Sequence, residues 1–175
     1  MPRLFTAIEI PQALDKLLAP YIPNSENIIQ QPEKHITLQF LGDVSPAQFT
    51  AFSCALEDLN ATTFNIQLKK CNLFDSRGPA RFFVAEVSPN IALIQLYQKI
   101  GKIMRAQNLI RDHRPYKPHL TLARLEGADG ELCRSLLNKG KTLCETFRVQ
   151  EFVLYGVEQG RPPVYKKLKK FKLNK

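Results

Sequence analysis

The stretch HITLQFLGD occupies residues 35–43, and HLTLARLEG occupies residues 119–127. Each reads His, apolar, Thr, Leu, two variable residues, Leu, and the two histidines stand 84 positions apart. The chain has three histidines in 175 residues, and two of them head this pattern. Thr fills eight of the 175 positions, so one His-x-Thr alone is weak evidence, whereas two copies with Leu matched at the fourth and seventh places are strong evidence of a duplicated element.

In a strand, side chains at i and i+2 point the same way. His35 and Thr37 therefore share a face, as do His119 and Thr121, while Ile36, Leu38, Leu120 and Leu122 point into a core. Each copy presents an imidazole beside a hydroxyl. An imidazole gives or takes a proton near neutral pH, so two of them supply both an acid and a base. Two hydroxyls donate hydrogen bonds to phosphate oxygens and stabilise charge that develops there. This chemistry needs no metal or cofactor, and the sequence has no carboxylate cluster to hold a metal. Strict alternation puts the fifth residue after each His, Phe40 and Arg124, on the opposite face; only a twist, a bulge or a strand end turns them towards the histidines.

Working outward, RLFTAIEI (3–10) is an edge-to-core strand, and PQALDKLLAP (11–20) is a short helix bracketed by prolines. A polar loop with Asn24, Ser25 and Glu26 leads to the first motif. Ser45, Pro46 and Gln48 form an N-terminal capping box for a helix with Phe49, Phe52, Leu56 and Leu59 on one face. Residues 64–74 and 80–87 form a hairpin around the turn DSRGP. Ser88 and Pro89 open a helix carrying Ile91, Ile94, Tyr97, Ile100, Ile103 and Met104. A short helix over 128–139 ends at Gly140. Residues 147–158 and 163–173 are two final strands around QGRPP. No Ser/Gly linker or charge run divides the chain, which reads as one α+β domain, 1–175, built of two similar lobes.

The composition is that of a folded protein, 44% apolar and 23% charged. No apolar run is long enough for a membrane helix, and the start, MPRLFTAIEIP, does not read as a signal peptide. A cytoplasmic monomer is expected. Cys54, Cys71, Cys133 and Cys144 form no CxxC pair and lie at no metal-ligand spacing, so they read as reduced, mostly buried thiols. The net charge is +9, with six Lys within 165–175 and with Arg105, Arg111, Arg114 and Lys117 gathered before the second motif. That surplus favours a polyanion such as nucleic acid, although a solvated lysine face explains the C-terminal run equally well. His113 fits no pattern and reads as a loop residue.

The paired motifs resemble those of the two-histidine (2H) phosphoesterase superfamily. The chain is similar over nearly its whole length to the bacterial and archaeal RNA 2',3'-cyclic phosphodiesterases, long called 2'-5' RNA ligases. The resemblance lies in RLFTAIEIP (3–11), HITLQFLGD, RPYKPHLTLAR (114–124) and VYKKLKKFKL (164–173). It implies a bilobal fold in which two antiparallel-rich sheets, flanked by helices and related by a pseudo-two-fold axis, enclose a central groove. It implies hydrolysis of an RNA terminal 2',3'-cyclic phosphate to a 2'-phosphate, with His35 as proton donor and His119 as proton acceptor. Thr37 and Thr121 would bind phosphate oxygens, Phe40 would stack on a base and Arg124 would contact phosphate. Tyr116 and Lys117 are further candidates for the RNA. Two alternatives stand beside this reading: 2'-5' ligation of cyclic-phosphate and 5'-hydroxyl ends, and a non-catalytic RNA- or nucleotide-binding module.

Overall fold

The structure is a computed structural model and describes residues 3–74, 81–109, 115–158 and 164–175. The strands are β1 (Arg3–Glu9), β2 (Ile28–Gln30), β3 (His35–Asp43), β4 (Phe64–Phe74), β5 (Phe82–Val87), β6 (His119–Leu125), β7 (Cys144–Val149), β8 (Glu151–Glu158) and β9 (Val164–Lys172). The helices are α1 (Gln12–Leu18), α2 (Pro46–Glu57), α3 (Ile91–Ala106) and α4 (Gly130–Gly140), with a 3-10 turn at Ala19–Tyr21. Arg111, His113, Arg114 and the turns DSRGP and QGRPP lie outside the described residues.

Local chemistry starts the helices. The Ser45 hydroxyl accepts from the Gln48 N–H at 3.3 Å, and the Gln48 side chain accepts from the Ser45 N–H at 3.1 Å, which completes the expected capping box. The helix expected to open at Ser88 and Pro89 starts later. Its cap is Asn90, whose side chain accepts from the Leu93 N–H and donates to the Asn65 carbonyl. Asp129 caps α4 in the same way through the Leu132 N–H.

The strands run β7-β4-β5-β6-β3-β1-β8-β9, with β2 added beside β6. The expected two lobes are present as β3-β1-β8-β9 and β6-β5-β4-β7. They are not separate sheets, because one antiparallel pair, Ile36 with Leu120, joins them into an eight-stranded path, a nine-stranded sheet with β2. Both residues are fully buried, and the strand order outward from this pair matches on its two sides, β3 and β1 answering to β6 and β5. The chain crosses between lobes after each motif strand: the hairpin β4–β5 that follows β3 pairs with β6, and β8, reached from β6 through β7, pairs with β1.

Three expectations change here. Residues 147–158 are not one strand. The chain turns at exposed Gln150, leaving β7 beside β4 in one lobe and starting β8 beside β1 in the other. β7 alternates and β8 is a continuous buried run, but no Gly, Pro or turn dipeptide marks the change of lobe between them. β1 is central rather than at an edge, lying between β3 and β8, and Leu4, Phe5, Ala7 and Ile8 are buried on its two faces. In α3 the buried stripe is Leu93, Leu96, Tyr97, Ile100 and Met104; Ile91 is 79% exposed and Ile94 only partly covered.

One large apolar cluster joins Leu18, Phe52, Leu56, Leu96, Ile100 and Leu136 of the helices to Ile8, Ile36, Leu38, Leu120 and Leu122 of the sheet. A smaller cluster, Phe5, Ala7, Val153 and Tyr155, lies on the opposite face of β1 and β8. Of the cysteines only Cys71 is buried; Cys54 and Cys144 are exposed and Cys133 is intermediate, because helix and strand positions that look apolar in sequence fall at the rim. The C-terminal lysines are not a plain solvated face either. Lys167 and Lys170 pair with Glu9, Lys170 also with Glu151, and Lys169 with Glu57. No helix among the described residues is long and apolar enough to cross a membrane.

Candidate active site

The Ile36–Leu120 pair brings the two motifs together. One position to either side, the antiparallel direction sets His35 towards Thr121 and Thr37 towards His119. Ile36 and Leu120 face the core, so these four flanking side chains share the other face, and all four are partly exposed. In a regular ladder the two histidines would lie on one diagonal of this quadrilateral, about 7–8 Å apart, with the threonines on the other. β3 and β6 pair nowhere else; β2 takes the place beside β6 beyond Thr121, and the strands part on the other side, past Thr37 and His119.

The burial patterns of 35–41 and 119–125 are identical, position by position. Both strands bulge at the same place. Ala7 pairs with Thr37 and Thr6 with Gln39, which skips Leu38; Val84 pairs with Thr121 and Phe83 with Ala123, which skips Leu122. Each bulge inserts one residue and reverses the alternation beyond it. Phe40 and Arg124 therefore return to the face of the histidines, where strict alternation would have hidden them. Phe40 is 53% exposed, and the Arg124 side chain is 55% exposed beside Glu126. Buried polar groups hold the first bulge: the Gln39 N–H donates to the Thr6 hydroxyl at 3.2 Å, and the Gln39 side chain donates to the Tyr97 carbonyl at 3.1 Å.

Both imidazoles are oriented alike. Nδ1 of His35 lies 2.8 Å from the carbonyl of Glu33, and Nδ1 of His119 lies 2.8 Å from the carbonyl of Lys117, in each case two residues back. A carbonyl only accepts, so each Nδ1 carries the hydrogen and each Nε2 is left outside these backbone bonds. An Nε2 in this setting accepts a proton when the ring is neutral and donates one when it is charged.

The surroundings differ. His35 sits among aromatic rings, with centroids 5.1 Å from Phe5, 5.8 Å from Tyr155 and 5.3 Å from Tyr165. Burial there pushes its proton affinity below the ordinary histidine value; the Glu33 carbonyl and the Glu9 charge oppose this, and the charge of His119 adds to it. His119 has one aromatic neighbour, Phe74, at 4.8 Å. Each His also faces a glutamate across the ladder, Glu9 opposite His35 and Glu86 opposite His119. Burial acts to raise the Glu9 carboxyl, but hydrogen bonds from Lys167 and Tyr155 and the charges of Lys167 and Lys170 outweigh it and hold Glu9 below the usual range. Glu86 accepts from Asn72 at 2.7 Å and pairs with Lys70 at 3.4 Å.

A cavity of about 390 Å³ opens on the His119 side, lined by Thr37, Phe40, Tyr97, Tyr116, Lys117 and His119. Tyr116 is a wall: its ring stacks on Tyr97 at 3.9 Å and its hydroxyl donates to the Thr37 carbonyl at 3.1 Å. Lys117 is exposed at the rim. Among the described residues no three His, Cys, Asp or Glu side chains converge as a metal site would require. Sequence reasoning missed Glu9, Glu86, Tyr155, Tyr165 and Phe74. Glu9 carried a signal, as the one charge inside an otherwise apolar strand run.

The model of the 2'-5' RNA ligase superfamily matches residues 13–161. The chain belongs to that superfamily. It is 28% identical over 147 residues to an RNA 2',3'-cyclic phosphodiesterase of Geobacillus stearothermophilus, an alignment that covers 83% of this chain and 47% of the relative. It thus spans about half the length of that relative. A Bacillus subtilis protein of the same name is 25% identical over 181 residues, covering 99% of this chain and 97% of the other. The fold is that of Escherichia coli LigT, solved in complex with 3'-AMP, with TM-score 0.76 at 23% identity and full coverage of both chains.

Proposed function

We propose that this chain, acting as a single bilobal domain in the cytoplasm, hydrolyses the 2',3'-cyclic phosphate at an RNA 3' end to a 2'-phosphate. His119 Nε2 takes a proton from water as the water oxygen attacks phosphorus. The bond from phosphorus to the 3' oxygen breaks, and His35 Nε2–H supplies the proton that leaves a free 3' hydroxyl. Thr37 and Thr121, on the other diagonal, donate to the non-bridging oxygens, whose charge grows in the transition state. Phe40 stacks on the terminal base and Arg124 meets phosphate charge.

The observation that carries this reading is the matched fixing of both Nδ1 atoms by backbone carbonyls on strands that meet at one residue pair. It leaves two Nε2 atoms for one groove, which binding alone does not call for. Burial lowers the proton affinity of His35 in the free protein, and a phosphate anion set between the imidazoles raises it, so substrate binding favours the proton that His35 then donates.

The test is incubation with a nucleoside 2',3'-cyclic phosphate in EDTA. A 2'-phosphate product is expected. A 3'-phosphate would overturn the assignment of the leaving oxygen, and no turnover would leave a binding module. Added RNA with a 5' hydroxyl tests ligation, which uses the same acid and base with that hydroxyl in place of water.

A further inference from the structure

Beside the catalytic cavity lies a second and larger one, of about 1010 Å³. The two share Tyr116 and Lys117 as a common ridge. Phe74, which lines the larger groove, is also the aromatic neighbour of His119. The far wall is α3. Ile91, Ile94, Gln95 and Gln98 fall at i, i+3, i+4 and i+7, one stripe of the helix, and all four line the groove. Lys102 and Arg105 continue the same stripe at the next turns, and both are exposed. This stripe is distinct from the buried one, and it explains why Ile91 is 79% exposed instead of packed in the core.

We infer that this groove receives the RNA upstream of the reacting end. The penultimate nucleoside lies against Ile91, Ile94 and Phe74, Lys117 on the ridge meets the phosphodiester that joins it to the terminal nucleotide, and Lys102 and Arg105 meet phosphates further upstream. The inference rests on the reading of the site given above and adds to it a substrate class: RNA ends of several nucleotides, in preference to free cyclic mononucleotides. Three features point to single-stranded RNA. The groove is continuous with the cavity where the cyclic phosphate reacts. Its wall pairs apolar and aromatic surface with the side-chain amides of Gln95 and Gln98, which meet base edges with both donors and acceptors. Its outer end is cationic, which suits a backbone leaving the site.

The experiment compares kcat/KM for adenosine 2',3'-cyclic phosphate and for a tetranucleotide ending in a 2',3'-cyclic phosphate, in the natural protein and in Ile91→Glu. Ile91 is so exposed that the substitution leaves the fold in place, and it puts a negative charge where the RNA would lie. The natural protein should favour the tetranucleotide by about tenfold or more, the order expected from one stacked base and its phosphates. Ile91→Glu should remove most of that preference and leave mononucleotide turnover within about twofold of the natural protein. Equal kcat/KM for the two substrates in the natural protein would overturn the inference, as would an Ile91→Glu effect that is equal on both or absent. Should neither substrate turn over, the proposed function fails by itself. Fluorescence anisotropy with a labelled tetranucleotide ending in a 2'-phosphate then decides the groove: tighter binding than adenosine 2'-phosphate, lost in Ile91→Glu, upholds it, and no difference refutes it.

Discussion

Replacing Thr6 with Val tests whether the β3 bulge is what turns Phe40 into the groove. Thr6 is completely buried, and its hydroxyl accepts the N–H of Gln39 at the bulge. Val has nearly the same shape but no acceptor, so the substitution strands a buried donor. An unsatisfied buried N–H costs about 1–3 kcal/mol, and the added methyl recovers up to about 0.8 kcal/mol of apolar burial. A net loss of roughly 1–2 kcal/mol follows, a fall in Tm of about 2–8 °C for a domain of this size. The bulge lies beyond His35 and Thr37, so the functional effect should fall on Phe40. KM for a cyclic nucleotide should rise several-fold while kcat changes little. Urea unfolding and steady-state kinetics on one preparation check both halves. A variant as stable as the natural protein, with an unchanged KM, would refute the claim that this hydrogen bond holds the bulge.

Other consequences are as direct. The His35 ring, followed by NMR in the ligand-free protein, should titrate below the ordinary value of about 6.5, because burial outweighs the Glu33 carbonyl and the Glu9 charge. Between the folded and unfolded values the unfolded chain holds a proton that the native one lacks, so stability should fall as the pH drops through that window. Glu9→Gln removes a charge that favours the imidazolium, and the His35 midpoint should then move further down; a rise would show that Glu9 does not act on His35. Gly140→Ala should destabilise by about 1–3 kcal/mol in urea titration, since a Cβ there would stand 2.3 Å from the Cys71 Cβ and 2.8 Å from its sulfur. Burial, aided by the Glu86 charge, pushes the Cys71 thiol up to about 12, so iodoacetamide at neutral pH should label exposed Cys54 and Cys144 and spare Cys71.

The candidate site was legible where the sequence repeats itself. Two His-x-Thr-Leu strands, read with a period of 2, identify which side chains share a face, and the structure sets those four around one residue pair. What stayed hidden depends on partners far along the chain. The bulges exist only relative to β1 and β5, so the alternation of β3 or β6 alone misplaces Phe40 and Arg124. The break at Gln150 is invisible because no Gly, Pro or turn dipeptide separates β7 from β8, although the two pair in different lobes. β2, three residues long, carries too little pattern to register. Ile91 and Ile94 fit a helical apolar period, yet the core takes the neighbouring stripe through Leu93, Leu96 and Ile100. The rings around His35 come from β1, β8 and β9, and only the fold brings them together.

The central claim is that two copies of one strand build two halves of a single site, and a double-mutant cycle tests it most directly. His35→Ala, His119→Ala and the double variant are assayed for turnover of one nucleoside 2',3'-cyclic phosphate, with circular dichroism to confirm folding. Each single change should lower kcat by roughly 10²–10⁴, and the double should be little worse than the poorer single, because acid and base serve one step. Near-normal activity in either single variant, or losses that simply multiply in the double, would contradict it.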